Sequence, residues 1–330
     1  MTILVAADLP AGSIEKIRRA AGNHNVVVSP CAGPEELAPS IPAGTEVLLS
    51  PYLPTPDTVP ALQWVQTFGA GIDHLLDHPL CGRVRITTSS GIHAAGMAEL
   101  VFAFILSFQR NMRKIHEYRD ARKWPVGGEL FRFFDRPTLP GQTLGLVGFG
   151  SVGGEIGRLG DAFGMRVLAV RRDPALETRR FSLNSRPPVS PHALYGPEAL
   201  PEVAAQADYL VVTLPLTPET RHAINADIIC RMKPSSVLIN VGRGAVVDEA
   251  ALIEALRQRR IAGAALDVFE QEPLPPDHPF YGMDHVLLSP HVGGARADYG
   301  AQVAEVFAAN LKRYCAGEPL LNEVDWARRY

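Results

Sequence analysis

Cysteine is scarce in this chain of 330 residues. Cys31, Cys81, Cys230 and Cys315 stand far apart, and no two have C-x-x-C spacing. That argues against a disulfide framework or a cysteine-based zinc site and fits reduced structural thiols in a cytoplasmic protein. No metal is expected. Charge of one sign is missing too. The formal net charge is −3 and the isoelectric point is near 6.4. There is no basic surplus for nucleic acid or for an anionic membrane surface. Long hydrophobic runs are absent as well. The most apolar stretch, Ala94 to Phe108, contains Glu99 and falls short of the roughly 20 residues that cross a bilayer. It reads as a buried core helix. The opening residues Met1 to Asp8 lack the basic start and apolar core of a signal peptide.

What is present is a length suited to two domains and a hydrophobic content of 46%, ordinary for a globular chain. Short apolar runs alternate with helical stretches. Thr2–Ala6, Val26–Val28, Glu46–Leu49, Trp64–Thr67 and Arg85–Thr87 read as strands, with a helix at Ala11–Ala21. The pattern restarts with a strand at Thr143–Val147, a helix at Val152–Phe163 and a strand at Arg166–Val170. Further strands are expected at Tyr209–Thr213, Val237–Asn240, Gly263–Leu266 and Val286–Leu288, with a helix at Ala250–Gln258. Such βα alternation predicts parallel sheets covered on both faces, in two α/β units separated by a long helix over 94–118. Glu177–Pro191 lacks periodicity, and its paired prolines exclude a central strand, so it reads as a surface excursion. Apolar residues at helical spacing over 301–314 predict a closing helix that returns to the first unit and makes it discontinuous.

Gly148-Phe149-Gly150-Ser151-Val152-Gly153 matches G-x-G-x-x-G between a strand and an apolar helix, the context that pattern requires. Gly148 suits the tight turn, Gly150 leaves room for a pyrophosphate, and Gly153 lets helix and strand pack closely. The helix start offers free N–H groups to phosphates. The following strand ends in Arg171-Arg172-Asp173. An acid at that strand end binds a ribose 2′-hydroxyl, whereas an arginine accommodates a 2′-phosphate. Arginine comes first here, so NADP(H) is expected to be preferred over NAD(H).

Three more segments follow strands and place polar groups at their carboxyl ends, where ligands bind in open parallel sheets. They are Asn240-Val241-Gly242-Arg243-Gly244, with Val247-Asp248 beyond it; Asp267-Val268-Phe269-Glu270-Gln271-Glu272-Pro273; and Ser289-Pro290-His291. Together with the glycine loop and Leu214-Pro215-Leu216-Thr217, in this order, they make the chain closely similar to the D-2-hydroxyacid dehydrogenase family over almost its whole length. The resemblance implies two Rossmann-like or flavodoxin-like doubly wound parallel-sheet domains with an active-site cleft between them. Residues 1–95 plus 292–330 would form the substrate-binding domain, and 96–291 the NAD(P)-binding Rossmann domain. It also implies a homodimer built around the cofactor domain, with Trp124 a candidate to reach across it. Cleft closure would hinge near Gly91–Ala98 and Pro290–Ala295.

The chemistry implied is reduction of a small 2-keto acid to the D-2-hydroxy acid. Arg243 would clamp the substrate carboxylate with its planar fork. His291 would serve as general acid and base, and Glu272 would orient it. Gly148, Phe149, Gly150, Ser151, Val152, Gly153, Arg171 and Arg172 would bind the dinucleotide. By resemblance, Thr213, Leu214, Pro215, Val241 and Gly242 would pass along it, and Asp267 would hold the nicotinamide carboxamide. Phe68-Gly69-Ala70-Gly71-Ile72-Asp73 would bring the backbone amides of Ala70 and Gly71 to the substrate carboxylate, with Asp73 capping the helix that follows. Tyr52 and Leu53 could face the C3 substituent. A formate enzyme of this superfamily is expected to have glutamine at Glu272, and a phosphite enzyme lysine at Ala70; neither stands here. Glyoxylate or hydroxypyruvate is the favoured substrate by analogy. The alternatives are a bulkier 2-keto acid, or a nucleotide-sensing corepressor or scaffold on the same fold.

Overall fold

The strands are three to five residues long, and most are rich in valine, isoleucine or leucine. The computed structural model describes residues 1–174 and 190–328. These divide into two units. One holds residues 1–92 and 296–328, the other 93–174 and 190–295. The excursion expected at Glu177–Pro191 lies almost wholly outside the described residues.

The first unit contains β1 (Thr2–Val5), α1 (Ala11–Ala21), β2 (Asn25–Val28), α2 (Pro34–Ser40), β3 (Thr45–Leu49), β4 (Trp64–Gln66) and β5 (Arg85–Thr87). The strands form one parallel sheet in the order β2-β1-β3-β4-β5. Alternate residues of β1 and β3 serve opposite faces, as a period of two demands. Ile3, Val5, Val47 and Leu49 join one apolar cluster, while Leu4 and Leu48 join the other. The C-terminal helix Tyr299–Cys315 packs on α1 in this unit, burying Val303, Val306 and Phe307. Trp64 lies against both Phe307 and Tyr314, and its indole N–H donates to Thr87 Oγ1 at 2.8 Å.

The second unit opens with α3 (Ala94–Gln109), α4 (Met112–Asp120) and α5 (Gly128–Phe134). The single long helix expected over 94–118 is therefore two helices. Asn111 takes the left-handed conformation, φ 49°, and ends the first of them. Asparagine tolerates that region because its short amide can bond locally, and here Nδ2 donates to Phe133 O at 3.2 Å. The unit continues through β6 (Thr143–Val147), α6 (Ser151–Ala162), β7 (Arg166–Val170), β8 (Ala193–Tyr195), α7 (Leu200–Gln206) and β9 (Tyr209–Val212). It then runs through α8 (Ala226–Arg231), β10 (Val237–Asn240), α9 (Glu249–Arg257), β11 (Gly263–Leu266) and β12 (Val286–Leu288). All seven strands are parallel, ordered β12-β11-β10-β9-β6-β7-β8. The order reverses at β6, the topological switch point where such sheets bind ligands.

Helices cover both faces of this sheet. α3 and α6 bury Val101, Ile105 and Ile156 against Leu144, Leu146 and Val211. α7, α8 and α9 bury Val203, Ile228 and Leu252 against Leu210, Val212 and Leu238. Among the described residues, no helix is long and apolar enough to cross a membrane.

Candidate active site

The glycine turn between β6 and α6 is held by sterics. Gly148 has φ 102°, and a Cβ on it would lie 2.6 Å from Thr213 Oγ1. A Cβ on Gly153 would lie 2.2 Å from Gly148 O, so helix and turn approach as only glycine allows. Thr213 donates its hydroxyl to Gly148 O at 3.0 Å. The first intrahelical bond of α6 runs from Gly154 N to Gly150 O. The N–H groups of Ser151, Val152 and Gly153 therefore precede the helix ladder. Ser151 Oγ is buried and has no hydrogen-bond partner among the described residues. An orphaned hydroxyl beside unladdered amides fits a pyrophosphate, so the residues present suit a bound dinucleotide. Phe149 packs toward Gly157 behind this turn.

At the end of β7, Arg171 and Arg172 are partly exposed, and Arg172 stands 3.9 Å from the exposed carboxylate of Glu219. Val241 N donates to Val212 O. Gly242 sits so close to the chain at Leu214 that a Cβ would be 2.7 Å from Leu214 O. Pro215 O accepts from Thr220 Oγ1, which fixes the segment after β9.

Two buried polar side chains end the neighbouring strands. Asn240 closes β10 and Asp267 follows β11; each is 1% exposed. Asn240 Oδ1 accepts from Gly242 N at 3.1 Å and its Nδ2 donates to Arg243 O at 3.0 Å. The turn carrying Arg243 is thus bound at both polar atoms of one amide. Arg243 is half-buried, and its guanidinium donates to Gly242 O at 2.8 Å. Asp267 accepts from Val292 N and Gly293 N, each at 2.9 Å, and from the Ser289 hydroxyl. Asp267 O accepts from His291 N at 2.9 Å, and Asp267 N donates to Asn240 O. All three of these donors to the Asp267 carboxylate belong to the turn that carries His291.

His291 Nδ1 donates to Glu272 Oε2 at 2.7 Å, and Glu272 Oε1 accepts from Phe269 N at 3.0 Å. That leaves imidazole Nε2 as the nitrogen that can exchange a proton. The His291 side chain is half exposed, and its backbone is left-handed, φ 53°. The loop bearing Glu272 is braced further. Glu249 and Glu270 exchange backbone-to-carboxylate bonds, His222 bonds Glu270 at 2.9 Å, and His278 bonds Glu249 at 3.1 Å. Gly244 meets this loop directly. A Cβ there would fall 1.9 Å from Phe269 C and O. Asp248 caps α9, its side chain accepting from Ala251 N at 3.0 Å.

Sequence reasoning did not single out Asn240, Ser289, Glu249, Glu270 or His222. A polar residue ending the apolar run Val-Leu-Ile was a usable signal for Asn240. The Glu249–Glu270 pair had none.

Tyr52, Leu53, Ala70 and Gly71 belong to the first unit. The Tyr52 hydroxyl donates to Ala32 O at 3.1 Å, and Tyr52 N is held by Ser50 Oγ at 3.0 Å. Leu53 packs on the Leu48 cluster. Ala70 is exposed and Gly71 half-buried, in the bend after β4. Tyr299 fixes the start of that bend by donating to Phe68 O at 2.9 Å. Asp73 begins a single 3-10 turn, Asp73–Leu75, whose cap position is Ile72. The expected cap at Asp73 is thereby corrected, since no full helix follows the bend.

Within the second unit a groove of about 610 Å³ lies at the amino ends of the strands. Of its cations, Arg113 and Lys114 pair with Glu117 and Arg259 with Asp284. None of the candidate site residues lines it.

A seven-stranded parallel sheet with a glycine turn at its switch point, an orphaned Ser151 hydroxyl and a Glu–His pair at neighbouring strand ends defines a dinucleotide-binding α/β oxidoreductase architecture. Residues 102–293 match the model of the D-isomer specific 2-hydroxyacid dehydrogenase NAD-binding domain. The chain belongs to the D-isomer specific 2-hydroxyacid dehydrogenase family. It is 33% identical over 270 residues to a hydroxyphenylpyruvate reductase of Plectranthus scutellarioides, covering 81% of this chain and 80% of that one. A glyoxylate reductase of Thermofilum pendens is 34% identical over 264 residues, covering 79% of this chain and 74% of the relative. Among solved structures, a D-isomer specific 2-hydroxyacid dehydrogenase from Xanthobacter autotrophicus, in complex with NADPH and MES, superposes with a TM-score of 0.77. It is 30% identical and covers 99% of each chain.

Proposed function

We propose that this enzyme reduces a small 2-keto acid of the glyoxylate or hydroxypyruvate class to the D-2-hydroxy acid, with NADPH preferred over NADH. When bound, the nicotinamide supplies the hydride. Arg243 holds the substrate carboxylate through its charged planar fork. His291 gives a proton from Nε2 to the ketone oxygen as charge develops there, and Glu272 fixes the ring from the Nδ1 side. The observation that carries this reading is the 2.7 Å bond between His291 and Glu272, on loops packed against the Arg243 turn through Gly244.

The cofactor preference rests on Arg171 and Arg172 at the end of β7. The 3.9 Å pair between Arg172 and exposed Glu219 costs little to exchange for a phosphate. The relative from Xanthobacter carries NADPH, which supports the same preference. A bulkier 2-keto acid is the second reading, favoured by the likeness to a hydroxyphenylpyruvate reductase. A homodimer is part of the proposal. Among the described residues, Met112, Ile115, Trp124, Val126, Leu130 and Phe131 leave large apolar side chains exposed on one short segment, the kind of surface a second copy covers.

The test is turnover of glyoxylate, hydroxypyruvate and 4-hydroxyphenylpyruvate with each cofactor, ranked by kcat/KM. His291→Ala is expected to lower kcat by about 10²–10⁴-fold. Wild-type turnover in that variant refutes the assignment, and a higher kcat/KM with NADH refutes the cofactor preference.

A further inference from the structure

The turn that carries Arg243 follows β10 and the turn that carries His291 follows β12. Each is tied down by a different buried side chain, at the ends of the adjacent strands β10 and β11. Asn240 spends both ends of its amide on the Arg243 turn, one on Gly242 N and one on Arg243 O. Asp267 spends its carboxylate on Ser289, Val292 and Gly293, the residues on either side of His291. The two side chains do not share a turn. Their link is a main-chain bond from Asp267 N to Asn240 O, which fixes the relative height of the strand ends.

The chemistry of each side chain matches its turn. The Arg243 turn presents one N–H and one C=O, so it needs a donor and an acceptor on one group, which an amide supplies. The His291 turn presents two N–H groups and a hydroxyl, so it needs an acceptor-only group, which a carboxylate supplies. An amide at 267 would turn an NH₂ toward one of two N–H donors. The backbone of His291 is left-handed, a conformation that persists only when its surroundings over-determine it. The three bonds to Asp267 and the main-chain bond from His291 N to Asp267 O supply that determination.

We infer that Asn240 and Asp267 are positioning residues with separate duties, Asn240 setting Arg243 for substrate binding and Asp267 setting His291 for proton transfer. This rests on the roles given to Arg243 and His291 under the proposed function. It assigns the Asp267 carboxylate to the acid–base turn, whatever else it touches when cofactor is bound.

The test uses the full-length protein and the variants Asn240→Ala, Asp267→Asn and Ser289→Ala, with His291→Ala as reference. Glyoxylate and NADPH are the probes, alongside the thermal midpoint, NADPH affinity by fluorescence, and histidine ¹H–¹³C spectra of the cofactor-free protein. The His291 resonance is assigned by its loss in His291→Ala. Asn240→Ala is expected to raise KM for glyoxylate about tenfold or more, with kcat within threefold of wild type and the His291 resonance unmoved. Asp267→Asn is expected to lower kcat about 10²-fold and to move the His291 resonance, because a displacement near 1 Å costs that much. Ser289→Ala removes one of the three bonds and should act in the same direction, more weakly; it carries the test if Asp267→Asn does not fold. Two results overturn the inference. One is an equal loss of kcat and KM performance in both variants with an unmoved His291 resonance. The other is an Asp267→Asn enzyme that binds NADPH weakly yet reaches wild-type kcat at saturation. Failure of the underlying reading looks different: His291→Ala itself keeps wild-type turnover, while the spectra still report whether Asp267 sets the ring.

Discussion

Replacing Gly244 by alanine should damage catalysis more than it damages the fold. A Cβ at this position would lie 1.9 Å from Phe269 C, 1.9 Å from Phe269 O and 2.4 Å from Glu270 N. All three are backbone atoms, so no side chain can swing aside. Ordinary contact between carbon atoms is about 3.5–4.0 Å, and the two segments would have to part by roughly 1.5 Å. The segment that is pushed begins at Phe269, whose N–H is bonded to Glu272 Oε1. The shift is therefore delivered to the carboxylate that holds His291. Overpacking of this kind costs about 1–3 kcal/mol in stability. A displacement of about 1 Å in a catalytic group costs about 10²-fold in rate. Gly12→Ala in α1 is the control. Nothing lies within 4 Å of a Cβ there, so it should be neutral or stabilising by up to about 0.5 kcal/mol. Steady-state kinetics and thermal melts on both variants decide the matter. A Gly244→Ala enzyme with wild-type kcat refutes the coupling of the Arg243 turn to Glu272, and a lowered melting point beside it would mean that the strain is absorbed elsewhere.

Removing both arginines at the end of β7, Arg171→Ser with Arg172→Ser, should cut the NADPH-to-NADH ratio of kcat/KM about 10–100-fold, the worth of one or two charge-assisted bonds; an unchanged ratio rejects them as phosphate ligands. Phe131→Glu with Trp124→Glu should convert a dimer to a monomer in sedimentation equilibrium, and an unshifted mass removes that segment from the interface. Asp284 is held below the ordinary carboxylate range, first by the hydrogen bond from Arg259, against some desolvation. A depressed folded-state value means that the stabilisation is present above the unfolded carboxylate pKa of about 3.9 and is lost as pH falls through the folded value. Urea unfolding should show Arg259→Ala less stable than wild type near neutrality by under about 1 kcal/mol, since both groups are more than half exposed, with the two curves converging in acid. A gap that widens in acid contradicts this.

Local pattern carries the strands well, because period-two burial and short apolar runs are written residue by residue. It carries breaks poorly. Nothing in the apolar periodicity of 94–118 marks Asn111 as a stop, since the break is a single left-handed residue whose amide finds Phe133 O, 22 positions away. β8 is three residues, Ala193–Tyr195, added by backbone pairing to β7, with no valine or isoleucine to announce it. The glycine turn was legible because sterics there demand one residue type. Glu272 and His291 are 19 positions apart with no period linking them, so they were paired through resemblance to a family. The brace of Glu249, Glu270, His222 and His278 is assembled from separate loops by the fold, and no stretch of sequence contains it.

The left-handed backbone of His291 sets a conflict for any effort to toughen this protein. A side chain in that region costs roughly 1–2 kcal/mol that glycine would not incur. Variants ranked by heat resistance alone would therefore gain from erasing the imidazole, and the gain would register as success. On the role proposed for His291, selection at this position has to score turnover and endurance together, because here they pull on the same residue in opposite directions.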